Sequence, residues 1–231
     1  MSTSTARPRS GRRSKGSYHH GDLRNALIEA TLGLILKAGV RGLSLREVAR
    51  HAGVSHAASY RHFRDKESLL AAVAEAGFSE LAQVLRRAAD SAGAEPIAKL
   101  QAAGAAYVEF AVNHPSHLHV MFGGAIGSFD RYPALQLSAN AALSELRAVV
   151  TQIKRKGKAP EGDAEVVEVA AWSIVHGLSV LLADGQLRCK DGTLFSKTAQ
   201  MGLSHAVIRL FCAGLNVGKR QSGRRLRGGP Q

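Results

Sequence analysis

The chain has 231 residues, 45% of them apolar, and a formal net charge of +13. That length supports one large domain or two small ones with a real core. Two cysteines, Cys189 and Cys212, exclude a disulfide framework or a cysteine metal cage, and only 5% aromatics with abundant Ala and Leu favour helices over sheets.

The charge is unevenly placed. Residues 1–66 hold 13 Lys/Arg against 4 Asp/Glu, residues 67–214 hold 13 against 14, and residues 215–231 hold 5 against none. A basic N-terminal module and tail around a near-neutral middle favour a polyanion partner such as nucleic acid over a merely solubilising surface. The cysteines suit a reducing, cytoplasmic compartment. The basic start MSTSTARPRSGRRSKGS has no apolar stretch of the secretory kind.

Residues 1–17, rich in Ser, Arg and Gly, predict a disordered basic arm. Tyr18, His19 and His20 then read equally as a DNA-contacting arm or as a linker. A first helix is predicted after an Asp22 cap, with Leu23, Leu27, Ala30 and Leu34 on one face and a stop at Gly39. A second begins at SLRE, with Ser44 as cap and Glu47 closing a capping box, and ends at Gly53. Ser55 caps a short third helix, and Asp65 a long fourth one carrying Leu69, Leu70, Val73, Leu81 and Leu85. Pro96, Pro115, Pro133 and Pro160 each suit a first helical turn. They predict helices near 96–113, 116–122, 134–156 and 161–187. A last helix is predicted over about 194–213, ending before Gly214, followed by a disordered basic tail over 215–231. Val169–Ala183 is the most apolar run but shorter than a membrane span and interrupted by His176, so a buried helix is predicted, with no membrane role.

Helix, glycine-containing turn and short helix form a helix-turn-helix. Residues 44–52 are its supporting helix and Ala52-Gly53-Val54 its turn, where Gly53 supplies left-handed backbone. Val54 and Ala49 pack the two helices together. Residues 55–62 (SHAASYRH) expose small and polar side chains because they enter a DNA major groove, where aliphatic groups find few partners. Tyr60, Arg61 and His62 offer donors for phosphates, as does Lys66 at the start of the fourth helix. Phe63 turns to the core.

The segment from about Tyr18 to Leu81 resembles the DNA-binding module of the TetR family of bacterial transcriptional regulators. The residues that carry the resemblance are LSLREVARHAGVSHAASYRHFRDKESLL, with Gly-Val-Ser, Tyr-x-His-Phe and Lys-Glu-x-Leu-Leu in register. Where the family often has Gly-Thr-Leu before the Tyr, this chain has Ala57-Ala58-Ser59. WSIVHG (172–177) further resembles a C-terminal ligand-binding variant named for its Trp, His and Gly. The resemblance implies an all-α chain: a three-helix DNA-binding domain over 18–66, then a helical ligand-binding and dimerisation domain over 67–214. It implies base contacts from Arg46, His56, Ala57 and Ala58, and phosphate contacts from Ser44, Tyr60, His62 and Lys66. It also implies a homodimer on helices near 161–187 and 194–213, double-stranded operator DNA as partner, and a small-molecule effector.

Large side chains in the middle, Tyr107, Phe110, Met121, Phe122, Phe129, Trp172 and His176, mark the expected effector site. Trp172 and His176, at i and i+4, share a face, and core packing is the even alternative to lining a pocket. His114, His117 and His119 lack a carboxylate or Cys at ligand spacing, so a helix junction with solvent-facing imidazoles is favoured over a metal site. No catalytic signature or cofactor motif is present. The function expected is a repressor released from a palindromic operator by a small, mostly apolar ligand. Its alternatives are an architectural DNA-binding protein, or a basic metal-binding protein or enzyme.

Overall fold

The computed structural model describes residues 20–157 and 164–225. The arm over 1–17, Tyr18, His19, the Pro160 helix start and residues 226–231 lie outside the described residues. The described residues are all-α, with nine α-helices, one short 3₁₀ turn (Phe129–Arg131) and an isolated bridge between Arg188 and Leu194. In chain order they are α1 (His20–Ala38), α2 (Leu45–His51), α3 (His56–Tyr60), α4 (Lys66–Ser91) and α5 (Pro96–Asn113). There follow α6 (Pro115–Phe122), α7 (Pro133–Arg155), α8 (Ala164–Ala183) and α9 (Lys197–Arg225).

The starts follow from local chemistry. Ser44 Oγ accepts Glu47 N–H at 3.2 Å, and Ser55 Oγ accepts Ala58 N–H at 3.1 Å. Asp65 and Ser68 form a reciprocal capping box: Asp65 Oδ1 accepts Ser68 N–H at 2.7 Å and Ser68 Oγ pairs with Asp65 N–H at 3.1 Å. The Ser68 N–H foremost, then the Arg64 guanidinium bonded to Oδ2 at 3.0 Å, hold the Asp65 carboxyl below its ordinary range. Proline opens α5, α6 and α7, where its missing N–H removes no helical bond.

Four expectations are corrected. α1 begins at His20, so Asp22 lies inside its first turn and is not the cap. Glu47 makes only half of the predicted box: its N–H is accepted by Ser44, and the reciprocal bond is absent. α8 ends at Ala183, not 187, because Gly185 takes a left-handed backbone (φ 64°) and its N–H and that of Gln186 are accepted by Leu182 O at 3.1 Å and Leu181 O at 2.9 Å, which closes the last turn. α9 runs through Gly214 to Arg225, so residues 215–225, predicted as tail, are helical. An interior glycine costs a helix about 1 kcal/mol against Ala, and burial of Cys212 and Leu215 on either side outweighs it.

α4 is the spine. Leu69, Leu70, Val73 and Phe78 share one core with Leu27, Ile35, Leu45, Val48 and Phe63 of the first three helices. The same cluster continues through Leu81 and Leu85 to Tyr107, Met121 and Leu135. A second cluster joins Leu100, Val150, Ile153, Ala171, Ile208 and Cys212. Each fully buried Leu or Ile contributes about 1.5–3 kcal/mol. By length and hydropathy both α4 and α8 are long and apolar enough to cross a membrane, which extends the shorter run read in the sequence. α4 is largely buried; α8 packs one face on α5, α7 and α9 and leaves Val166 (66% exposed) and Val169 (52%) outside.

Candidate nucleic-acid interface and effector cavity

Gly53, at φ 69°, makes the turn that sets α3 across α2, and Val54 N–H is accepted by Ala49 O at 3.0 Å. The turn brings Ser44, Arg46, His56, Ala57 and Tyr60 out together as exposed residues, while Ala58, His62 and Lys66 are half-buried. His56 and Tyr60 meet edge to face with centroids 4.8 Å apart. Ser59 faces inward: it is fully buried and donates to His56 O at 2.7 Å. Phe63 is buried, with the Arg24 guanidinium 5.9 Å from its ring centre.

Lys66 has an internal role that the sequence did not reveal. Its Nζ donates to Val40 O at 2.8 Å and Arg41 O at 3.3 Å, tying α4 to the turn before α2. One N–H of the ammonium remains for a phosphate.

Further bonds fasten the head to the rest of the molecule. Ser116 Oγ donates to Leu32 O at 3.1 Å, joining α6 to α1. Arg24 pairs with Glu75 at 3.4 Å. Glu67 Oε1 accepts from Gly127 N–H at 3.3 Å and Arg131 at 3.4 Å. α6 also presses on α4: a Cβ at Gly77 would stand 2.7 Å from Met121 Sδ and 2.8 Å from a His117 ring carbon. Only glycine permits that approach.

Between α4, α5, α6, α7, α8 and α9 lies a cavity of about 310 Å³. Tyr107, Met121, Phe122, Phe129 and Trp172 line it, as expected from the sequence. Phe110 does not: it is buried against the imidazole of His114, stacked at 4.9 Å. His176 also stands outside the lining, behind Tyr107, whose hydroxyl lies 2.9 Å from His176 Nδ1. Burial raises the Tyr107 pKa and lowers that of His176, so the phenol stays protonated and the imidazole neutral; Tyr107 then donates to Nδ1.

Much of the wall was missed: Leu81, Leu85, Leu146, Val149, Ile208 and Phe211. Their aliphatic spacing matches any core face, so no local signal distinguishes them. Gly104 was a usable signal: a Cβ there would approach Ile208 within 3.2 Å, so the glycine lets α9 come close to α5.

The histidines at the α5–α6 junction do not all face solvent as expected. His117 is buried, and burial first, then His114, lowers its pKa. His119 Nε2 lies 2.9 Å from Asp184 and His114 Nε2 3.9 Å from Glu80. Among the described residues no group of three or more His, Cys, Asp or Glu gathers at metal-binding distance.

Residues 27–73 match the family described as bacterial regulatory proteins, tetR family, and residues 100–200 match a tetracyclin repressor-like C-terminal domain. The chain belongs to the TetR family. It is a DNA-binding transcriptional regulator by that membership. The C-terminal match, over 100–200, includes the WSIVHG stretch at 172–177. The tetracycline repressor protein class A from transposon 1721 of Escherichia coli is 46% identical over 56 residues, 24% of this chain and 26% of that protein. The shared part of that relative is thus about a quarter of its length.

Among solved structures, a protein with unknown function from Rhodococcus sp. RHA1 is 35% identical, with a TM-score of 0.72 over 87% of this chain and 100% of that one. The TetR-family regulator PfmR of Thermus thermophilus (19% identity, TM-score 0.65) aligns over 82% of this chain and 98% of its own. FadR of Bacillus subtilis, solved with stearoyl-CoA (16% identity, TM-score 0.67), covers the same shares. These last two attest the TetR fold alone.

Proposed function

We propose that this TetR-family regulator is a cytoplasmic repressor that binds a palindromic operator as a homodimer and leaves it when a small, mostly apolar ligand fills the cavity. The observation that carries the reading is the pairing of an outward polar head with an apolar cavity on one continuous α4 core. Arg46, His56, Ala57 and Ala58 would face bases; Ser44, Tyr60, His62 and the remaining N–H of Lys66 would meet phosphates. Homodimerisation is supported by apolar side chains left outside on the last two helices. Val166 and Val169 on α8 and Leu210 on α9 (77% exposed) have no cover among the described residues, and a two-fold copy of the same face would supply it.

Two heads on one DNA face require half-site centres about 34–36 Å apart, or further for an extended site. Release requires that the ligand favour the conformation that does not fit the operator. The test is a footprint on DNA upstream of candidate promoters, repeated with ligand. A protected inverted repeat that disappears on titration supports the proposal. Even protection along any DNA, unaffected by ligand, would favour an architectural role.

A further inference from the structure

The cavity wall is unusual in what it omits. No Lys, Arg, Asp, Glu or His stands among its lining residues. The cations flanking it are already engaged: Arg86, next to Leu85, holds Glu145 at 2.6 Å, and Arg147, next to Leu146, holds Glu168 at 3.2 Å. Of the polar groups inside, the Tyr107 hydroxyl is already engaged with His176 Nδ1, and the Trp172 indole carries a single N–H donor and no charge. An anion brought into this space loses its hydration with no opposite charge to replace it.

The remaining polar wall residue is Asn140, exposed on α7 at the edge of the cavity. Gln136 Nε2 donates to its Oδ1 at 3.5 Å, which leaves the Asn140 NH₂ to face an incoming acceptor oxygen. The volume sets the size. At about 30 Å³ for each water-sized group, 310 Å³ holds roughly ten non-hydrogen atoms.

Resting on the ligand-responsive reading above, we infer that the effector is an uncharged compound of roughly ten non-hydrogen atoms, an apolar body with one acceptor oxygen (ketone, ester or lactone) held at the mouth by Asn140. A carboxylate or thioester-linked CoA phosphate seated among these residues would find no cation, which disfavours fatty acids and acyl-CoAs at this site. The aromatic rings of Phe78, Phe122, Phe129 and Trp172 suit a flat or branched body as well as a straight one.

A matched pair of probes tests this. Methyl heptanoate and octanoate are isomers in composition apart from one proton, and differ in charge. Trp172 is the single tryptophan and lines the cavity, so its fluorescence reports occupancy. The full-length protein is titrated with methyl heptanoate, octanoate, nonan-2-one and octanoyl-CoA. The neutral probes should bind at least tenfold more tightly than octanoate and octanoyl-CoA. Ala139→Phe, which fills the lining from α7, should abolish the signal, with retained operator binding as its folding control. Asn140→Leu should weaken methyl heptanoate about fivefold, the loss of one neutral hydrogen bond. Octanoate or octanoyl-CoA binding as tightly as the ester, or no neutral probe binding, overturns the inference. A signal that survives Ala139→Phe overturns the cavity as the site. Operator affinity is measured in parallel: a neutral probe that fills the cavity and leaves operator binding intact retains the ligand class and breaks the release proposed above.

Discussion

Around α2 and α3 the large apolar side chains point in and the small polar ones point out: Leu45, Val48 and Phe63 are buried while Arg46, His56 and Ala57 are exposed. Around α5, α7 and α8 the large apolar side chains ring a space that they leave unfilled. The head is specified by residues within about twenty positions of one another, through two serine caps and one glycine turn. The cavity is specified by residues from Phe78 to Phe211, brought together by six helices and the 3₁₀ turn. One region presents polar groups on a packed support; the other withholds packing. Substitutions should therefore act on them differently.

The largest difference should appear in stability. Phe63→Ala removes a ring from a filled core and should cost about 3–5 kcal/mol. Leu143→Ala trims a half-buried side chain that already borders the cavity, and should cost about 1 kcal/mol. Urea unfolding of both variants checks this, and equal losses would mean that the cavity is closed by tight packing in solution.

DNA binding should separate the residues of the head next. Arg46→Ala should cost about 1–3 kcal/mol per half-site and relax preference at one base pair. Competition binding with operator variants reads both effects. An even loss across all sequences would move Arg46 to the phosphates.

Lys66→Ala sharpens the comparison, because its ammonium serves the fold and is proposed to serve DNA. It should lower stability by about 1–2 kcal/mol through the lost bonds to Val40 and Arg41, and weaken operator and random DNA alike with a shallower salt dependence. Reduced stability with an unchanged salt slope would leave it a brace alone.

The smallest effect concerns pH. His117, packed at the α4–α6 contact and faced by His114, Glu80 and Glu29, has a lowered pKa. The unfolded chain takes up its proton near pH 6.5, whereas the folded one resists until lower pH. The unfolded state then binds more protons, so stability is intact above about pH 6.5 and falls on acidification below it. His176 acts in the same direction. His117→Gln should shrink the fall in urea midpoint between about pH 7 and 5.5. An unchanged fall would assign it to other groups.

The head was almost fully legible because its signals are local. Ser44, Gly53, Ser55 and Asp65 each act on residues within four positions, so the helix order and three of the caps could be read directly. The end of α9 was misread because Gly214 resembles a stop unless the burial of Leu215 is known. The cavity was partly legible: its rare aromatic and Met residues stood out, its leucines and valines did not. His176 was placed with the wall but supports it from behind, since a helical spacing fixes a face and not a depth.

The bond from Lys66 to the turn at Val40 and Arg41 has a mechanical consequence. It makes the head and the first turn of α4 one rigid piece. α4 has 26 residues, about 39 Å at 1.5 Å per residue. Pivoted at its far end, such a rod converts a tilt of about 5° into a displacement of about 3.4 Å, the rise of one base pair along a DNA strand. A slip of one base pair by each of two heads takes both out of register, so a few degrees at the cavity are enough to misalign a reader with its DNA.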